Sequence, residues 1–299
     1  MSLHFDKNVY YDWCRSRINQ PEKLKNAKYL KQFITNTIDI APSITGTLLY
    51  YNNTSYGKYV SYGEGTPVFY FFKVVPDSYY ITYFEPDDLY KNHSIDKNIV
   101  TVLKSHNLAK YSITANVDFS YNNYILVPLQ RHDEQITFIK DISAWANSNK
   151  TLVIFKIHPL SMSTTSIDSL SKEYSNKYAI FVDNVDINLL IDRCTAVWTF
   201  NSGIGFNALL ALKPVCYFLK DYDHTYGPIA KFCTSIDEAA ESYKLEPENI
   251  MRYFSWYYNT FIIDVSKDTA KDKLLRRLTN YFNYNYSIRE LFDEYSAFK

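Results

Sequence analysis

Four short apolar runs between Tyr124 and Leu219, each ending on a small group of polar residues, constrain this chain more than any other feature. YILVPLQ leads into RHDEQI, TLVIFK into IHP, AIFVDN into VDINLL, and TAVWTF into NSGIGFNALLALKPVCYFL. Runs rich in Val, Ile, Leu and Phe, too short for buried helices and alternating with helix-length segments, predict parallel strands covered on both faces. The expected fold class is α/β, with a doubly wound unit in this half. Such sheets bind ligands outside the carboxyl ends of their strands. Gln130, Asp133, Lys156, His158, Asp183, Asn201, Ser202 and Gly203 are therefore expected to converge on one crevice.

At 299 residues the chain has room for two domains. The expected divisions are a first domain over 1–118, a second, holding the doubly wound unit, over 119–265, and a closing amphipathic helix over 266–299. Lys plus Arg and Asp plus Glu both number 32, so no global field attracts nucleic acid or an anionic membrane. Cys14, Cys194, Cys216 and Cys233 show neither metal-type pairing nor a disulfide framework and read as reduced core thiols of a cytosolic protein. The first residues lack an apolar signal core, and no stretch approaches the ~20 apolar residues a spanning helix needs.

Along the first half, Asn8 to Ile40 carries a helical pattern ended by Ala41-Pro42, and GTLLYY, TPVFYFF and SYYITYF read as strands. Half of the residues from Gly57 to Thr66 are Gly, Ser or Thr, which predicts a loop. A short helix is expected over Asp96–Asn107 with Asp96 as N-cap. Further on, helices are expected over Thr137–Asn147, Leu189–Arg193 and Gly205–Leu212, and a capping box at Ser235 and Glu238. The tail from Lys271 repeats apolar residues at helical spacing beside Lys271, Lys273, Arg276 and Arg277. It suits either a membrane surface or, as the preferred expectation, packing against the first domain.

The chemistry falls on the strand ends. In NSGIGF a strand meets a helix through Asn201, Ser202 and Gly203, an arrangement that suits a phosphate and serves equally as a plain helix cap. FKIHP puts a cationic Lys156 and the imidazole of His158 at the next strand end, with Pro159 fixing the exit. His158 is suited to protonating a leaving phosphate oxygen. Gln130, His132, Asp133 and Glu134 follow the first strand, and Asp133 is either a general base or nucleophile or the N-cap of the next helix. Asp221 to Asp223 resembles the metal-binding Asp-x-Asp of one transferase class but reads as a turn, and no spacing indicates zinc.

VPLQRHDEQI, FKIHP and VWTFNSGIGFNALLALKPVCYF, in that order, resemble the bacterial capsule polysaccharide synthesis glycosyltransferases, especially Kdo transferases. The resemblance covers roughly the second half of the chain. It implies a GT-B fold, two Rossmann-like domains facing across a cleft with the C-terminal helix packing back on the first, and a cytidine nucleotide sugar as donor. By the same resemblance His158 with Pro159 and Ser202 bind the nucleotide, Asp133 acts on the sugar, and Glu85 in YFEPDD is a further acidic candidate. This chain departs from the family in having Asn207 where Glu is common. The expected function is metal-independent sugar transfer, without cofactor, from a CMP-Kdo-like donor to a glycan or glycolipid acceptor. The expected location is the cytoplasm, with peripheral contact at the inner membrane face. Two other readings keep the fold: a phage-type enzyme that glycosylates a hydroxymethylated base in nucleic acid, and a non-catalytic nucleotide- or sugar-binding protein.

Overall fold

The computed structural model describes residues 2–4, 47–50, 59–65, 68–76, 90–105, 119–130, 135–158, 165–200, 202–219, 227–241, 243–264, 269 and 272–273. Its contacts divide the chain into two units, one of Met1–Val102 with Met251–Lys299 and one of Leu103–Ile250. The expected helix over Asn8–Ile40 and the SYYITYF strand lie outside the described residues, as does the expected tail helix from Lys271 apart from residues 272–273.

The first unit holds a mixed five-stranded sheet. Strands β1 (Ser2–His4), β2 (Thr47–Tyr50) and β3 (Tyr59–Gly65) run parallel, and β4 (Val68–Pro76) is antiparallel to β3. The last strand among the described residues, β11 (Ile262–Asp264), closes the order β1-β2-β3-β4-β11 by pairing antiparallel with β4. β3 corrects the loop expected over Gly57–Thr66. Its glycines cost strand propensity, but ladders to β2 on one side and β4 on the other outweigh that cost, and the register shifts between Glu64 and Gly65. Helix α1 (Ile99–Ser105), whose residues from Leu103 on belong to the second unit, follows a turn in which the Asp96 carboxylate accepts the Asn98 N–H at 2.8 Å. In the first unit Ser255 Oγ accepts the Asp96 N–H at 2.9 Å, and Tyr90 meets Tyr253 edge to face at 5.3 Å.

The second unit is a six-stranded, wholly parallel sheet. Its strands are β5 (Tyr124–Pro128), β6 (Val153–Lys156), β7 (Ala179–Val182), β8 (Cys194–Thr199), β9 (Val215–Tyr217) and β10 (Lys231–Phe232). The order is β10-β9-β8-β5-β6-β7, so the chain steps outward from β5 to β7, returns to the far side of β5, and steps outward again. This is the doubly wound order of dinucleotide-binding sheets. The four apolar runs of the sequence are β5, β6, β7 and β8.

Helices α2 (Gln135–Asn149), α3 (Thr165–Tyr174), α4 (Ile187–Arg193) and α5 (Ile204–Leu210) connect β5 through β9, and α6 (Ile236–Ala240) and α7 (Pro247–Trp256) follow β10. On one face Ile125, Val127, Val153, Phe155, Trp198 and Cys216 meet Phe138, Ile139 and Ile142 of α2. Side chains alternate along a strand, so Ile154 and Lys156 belong to the other face. There the Tyr124 hydroxyl donates to the Leu190 carbonyl of α4 at 2.8 Å. Helix α4 is capped by Asp186, whose carboxylate accepts the Asn188 and Leu189 N–H groups at 2.8 and 3.2 Å. At α6 the box expected from Ser235 and Glu238 forms with its return arm shifted. Ser235 Oγ accepts the Glu238 N–H, while the Glu238 carboxylate takes the N–H and hydroxyl of Thr234.

Cys194, Cys216 and Cys233 are buried free thiols. Burial pushes Cys194 up to about 11 and Cys216 up to about 12, which keeps both protonated at neutral pH. Among the described residues, no helix is long and apolar enough to cross a membrane.

Candidate functional site at the carboxyl edge of the parallel sheet

The order reverses between β5 and β8, and a doubly wound sheet opens its ligand crevice at that point. The strand ends there are aligned. Past the strands proper, the Leu129 N–H donates to the Lys156 carbonyl at 2.8 Å, Ile157 N–H to Val182 at 2.9 Å, and Phe218 N–H to Thr199 at 3.1 Å. Gln130, Lys156, His158, Ser202 and Gly203 therefore leave the sheet along one edge. Gln130 flanks the reversal on the β5 side and the Ser202-Gly203 turn on the β8 side. Lys156 and His158 stand one strand further out, and Asp183 two strands out.

The turn after β8 is held by side chains. Thr199 is fully buried, and its Oγ1 accepts the Ser202 N–H at 2.8 Å. Ser202, itself buried, offers Oγ to the Ile204 N–H at 3.3 Å, so its hydroxyl occupies the first open amide of α5. Gly203 takes the cap position with φ −58° and ψ −13° and no side-chain cap bond. That conformation suits any residue, so this glycine contributes an open rim. The sequence nominated Ser202 and Gly203 for a phosphate; the structure also gives Ser202 a local capping role. The decisive neighbour, Thr199, was not read from the sequence. A hydroxyl residue closing an apolar run three positions before Ser202 is the signal that marks it.

Lys156 is 5% exposed. Its ammonium donates to the Ile157 carbonyl at 3.0 Å and to the Asp183 carbonyl just past β7. Two of its three donors are thus spent tying the end of β6 to the end of β7. Burial lowers its pKa to about 8, and the Asp183 and Asp186 carboxylates pull it partly back up. It therefore remains mostly charged at neutral pH. His158, half-buried, follows two residues on.

On the β5 side, Gln135 opens α2 and is 2% exposed. Its Oε1 accepts the Gln130 N–H at 2.8 Å, which closes a clasp across residues 131–134, while its Nε2 is buried without a hydrogen-bond partner. The bond joins the two residues that flank positions 131–134, where Asp133 falls in the sequence. Gln135 was missed in the sequence; a Gln reaching backwards from the first turn of a helix, as in a capping box, is the pattern that finds it. Asp133, Glu85, Pro159, Asn201 and Asp221 to Asp223 lie outside the described residues.

Residues 78–223, just under half of the chain, match the family model described as capsule polysaccharide biosynthesis protein. A search of the curated proteins finds no match. Among solved structures, Thermosulfurimonas dismutans KpsC described as a beta Kdo 2,7 transferase is 16% identical, with 82% of this chain and 88% of that one covered and a TM-score of 0.46. The same organism's KpsC described as a beta Kdo 2,4 transferase is 14% identical over 66% of this chain and 71% of that one, with a TM-score of 0.42. A Methanocaldococcus jannaschii UDP-GlcNAc 2-epimerase in complex with UDP-GlcNAc and UDP is 14% identical over 64% of this chain and 50% of that one, with a TM-score of 0.32. The family match spans β5 through β9 and with them both sides of the reversal point. Over that segment the chain is similar to the family described as capsule polysaccharide biosynthesis protein.

Proposed function

We propose that the protein is a glycosyltransferase that moves a sugar from a nucleotide-sugar donor, CMP-Kdo or a related acid, to a glycan or glycolipid acceptor in the cytoplasm. The observation that carries this reading is the capsule-synthesis match over 78–223, which contains the whole reversal point of a dinucleotide-type sheet. The nucleotide phosphate would sit at the Ser202-Gly203 turn, with His158 at the next strand end protonating the departing oxygen. Lys156 would act at one remove. Its buried charge raises the positive potential of the edge while its N–H groups hold the β6 and β7 loops in place. Transfer by this route draws on protein donors for the phosphate charge and calls for no divalent ion. Asp133, on the segment clasped by Gln135, would serve as base or nucleophile toward the sugar. With 32 basic against 32 acidic residues, the chain gives no electrostatic support to a nucleic-acid acceptor.

Release of CMP from CMP-Kdo, measured with and without a capsular glycan acceptor, tests the reading. Asp133→Asn should lower turnover by orders of magnitude while melting temperature and CMP affinity stay at parent values, because an amide keeps the shape but not the proton-accepting charge. An N-cap role predicts retained turnover, since Asn caps nearly as well as Asp. Full activity in Asp133→Asn would remove it from the chemistry. Absence of both CMP release and thermal stabilisation by CMP in the parent would reject this donor class.

A further inference from the structure

A second concavity lies in the same unit, on the flank of the helices. Asn188 and Ile191 of α4, Asn207 and Leu210 of α5, and Lys104 at the end of α1 enclose a cavity of about 280 Å³, with Asp192 on its rim. Helix α5 starts at the carboxyl edge of the sheet and runs back, so Leu210 stands roughly 10 Å along the helix from the Ser202-Gly203 turn. Asp192 likewise lies at the end of α4, next to the start of β8. The cavity thus extends toward the edge of the sheet opposite the strand-end crevice.

Its chemistry is mixed in a particular way. Ile191 and Leu210 are buried and form an apolar floor, while Lys104, Asn188 and Asp192 are exposed at the rim. Asn207 is 7% exposed, and its Oδ1 is buried without a hydrogen-bond partner. A native fold seldom leaves such an acceptor unused, so it marks a place where a donor from outside completes the structure. One ammonium and one carboxylate leave the rim electrically balanced, which disfavours a multiply charged guest. Two amides beside them both donate and accept, as hydroxyl groups do.

We propose that the α4–α5 groove is a saccharide-binding site, sized for one pyranose ring and separate from the strand-end crevice. The ring would lay its C–H face on Ile191 and Leu210. A hydroxyl would donate to Asn207 Oδ1, with Asp192, Asn188 and Lys104 engaging the outer hydroxyls. The proposal stands on the cavity alone and does not depend on the transferase reading.

Saturation-transfer NMR on the full chain decides it, with methyl β-glucopyranoside, methyl β-galactopyranoside, methyl α-mannopyranoside and N-acetylglucosamine as probes and glycine as a zwitterionic comparison. The expected result is transfer to the ring protons of at least one of the four sugars. The signal should vanish in Asn207→Leu, which keeps the volume and removes the acceptor, with no fall in melting temperature. It should weaken by about threefold or more in Kd in Asn188→Ala, which sits on the exposed rim and decides the question if Asn207→Leu fails to fold. Saturating CMP should leave it unchanged. No transfer to any of the four sugars, equal transfer in both variants, loss of the signal on adding CMP, or binding of glycine alone would each overturn the proposal.

Discussion

Replacing Thr199 by Val isolates the bond that shapes the turn at the reversal point. The two side chains have nearly the same outline, and Val is at least as well suited to a buried strand, so packing and β-propensity change little. What is lost is the acceptor for the Ser202 N–H, bonded at 2.8 Å in a buried setting. An amide left unpaired in the interior costs about 1–3 kcal/mol. Spread over a unit the size of Leu103–Ile250, that amounts to a fall of about 2–12 °C in melting temperature, at roughly 2–4 °C per kcal/mol. Thermal unfolding followed by calorimetry measures it, and Thr199→Ser, which restores the oxygen, should recover most of the loss. CMP affinity should fall along with stability in Thr199→Val, since Ser202 is released from its fixed geometry. A Thr199→Val protein that melts with the parent would refute the reasoning, because the Ser202 amide would then have found water or another partner at no cost.

The pH dependence of stability should carry a signature of Lys156. Its folded pKa of about 8 lies below the unfolded value, so between about pH 8 and 10.5 the unfolded chain holds the extra proton and stability rises with pH, by at most about 3 kcal/mol. Buried Cys194 and Cys216, with raised pKa values, push the other way over an overlapping window. The test is therefore the difference between urea unfolding of the parent and of Lys156→Met at each pH; parallel curves for the two proteins would show that Lys156 does not titrate in this window. His158→Ala should weaken CMP binding without lowering the melting temperature, as befits a half-buried residue past the strand end; equal CMP affinity in mutant and parent would take His158 out of the nucleotide site.

How far the sequence reached depended on whether a signal was local. β5 to β8 were readable because each is a compact apolar run with polar punctuation, and their parallel pairing follows from the helix-length spacers between them. β3 was not readable. YVSYGEG has loop composition, and it becomes a strand only because two partners far from it in the chain accept its ladder. β11 was missed for the same reason, as IID is too short to declare itself without β4 beside it. At the site, the sequence located Lys156 at a strand end but gave no sign of its depth. Strand alternation places it on the face of Ile154, opposite Phe155, and there the nearest acceptors are backbone carbonyls.

Three buried polar side chains share one task at this edge. Gln135 holds the backbone after β5, Lys156 joins the backbone after β6 to that after β7, and Thr199 holds the backbone after β8. Each bonds to main chain, and each fixes the base of a loop that carries or adjoins a nominated site residue. A preorganised site needs such supports, because groups aimed at a developing charge lose their advantage if they must reorient during reaction. The arrangement separates two kinds of substitution by their readout. Changes at Gln135, Lys156 or Thr199 should register first in melting temperature and only through it in ligand affinity. Changes at His158 or Asp133 should register in affinity or turnover with the melting temperature unmoved. A charged residue at a strand end is thus assigned to support or to chemistry by where its hydrogen bonds go, and at Lys156 two of them go to the backbone.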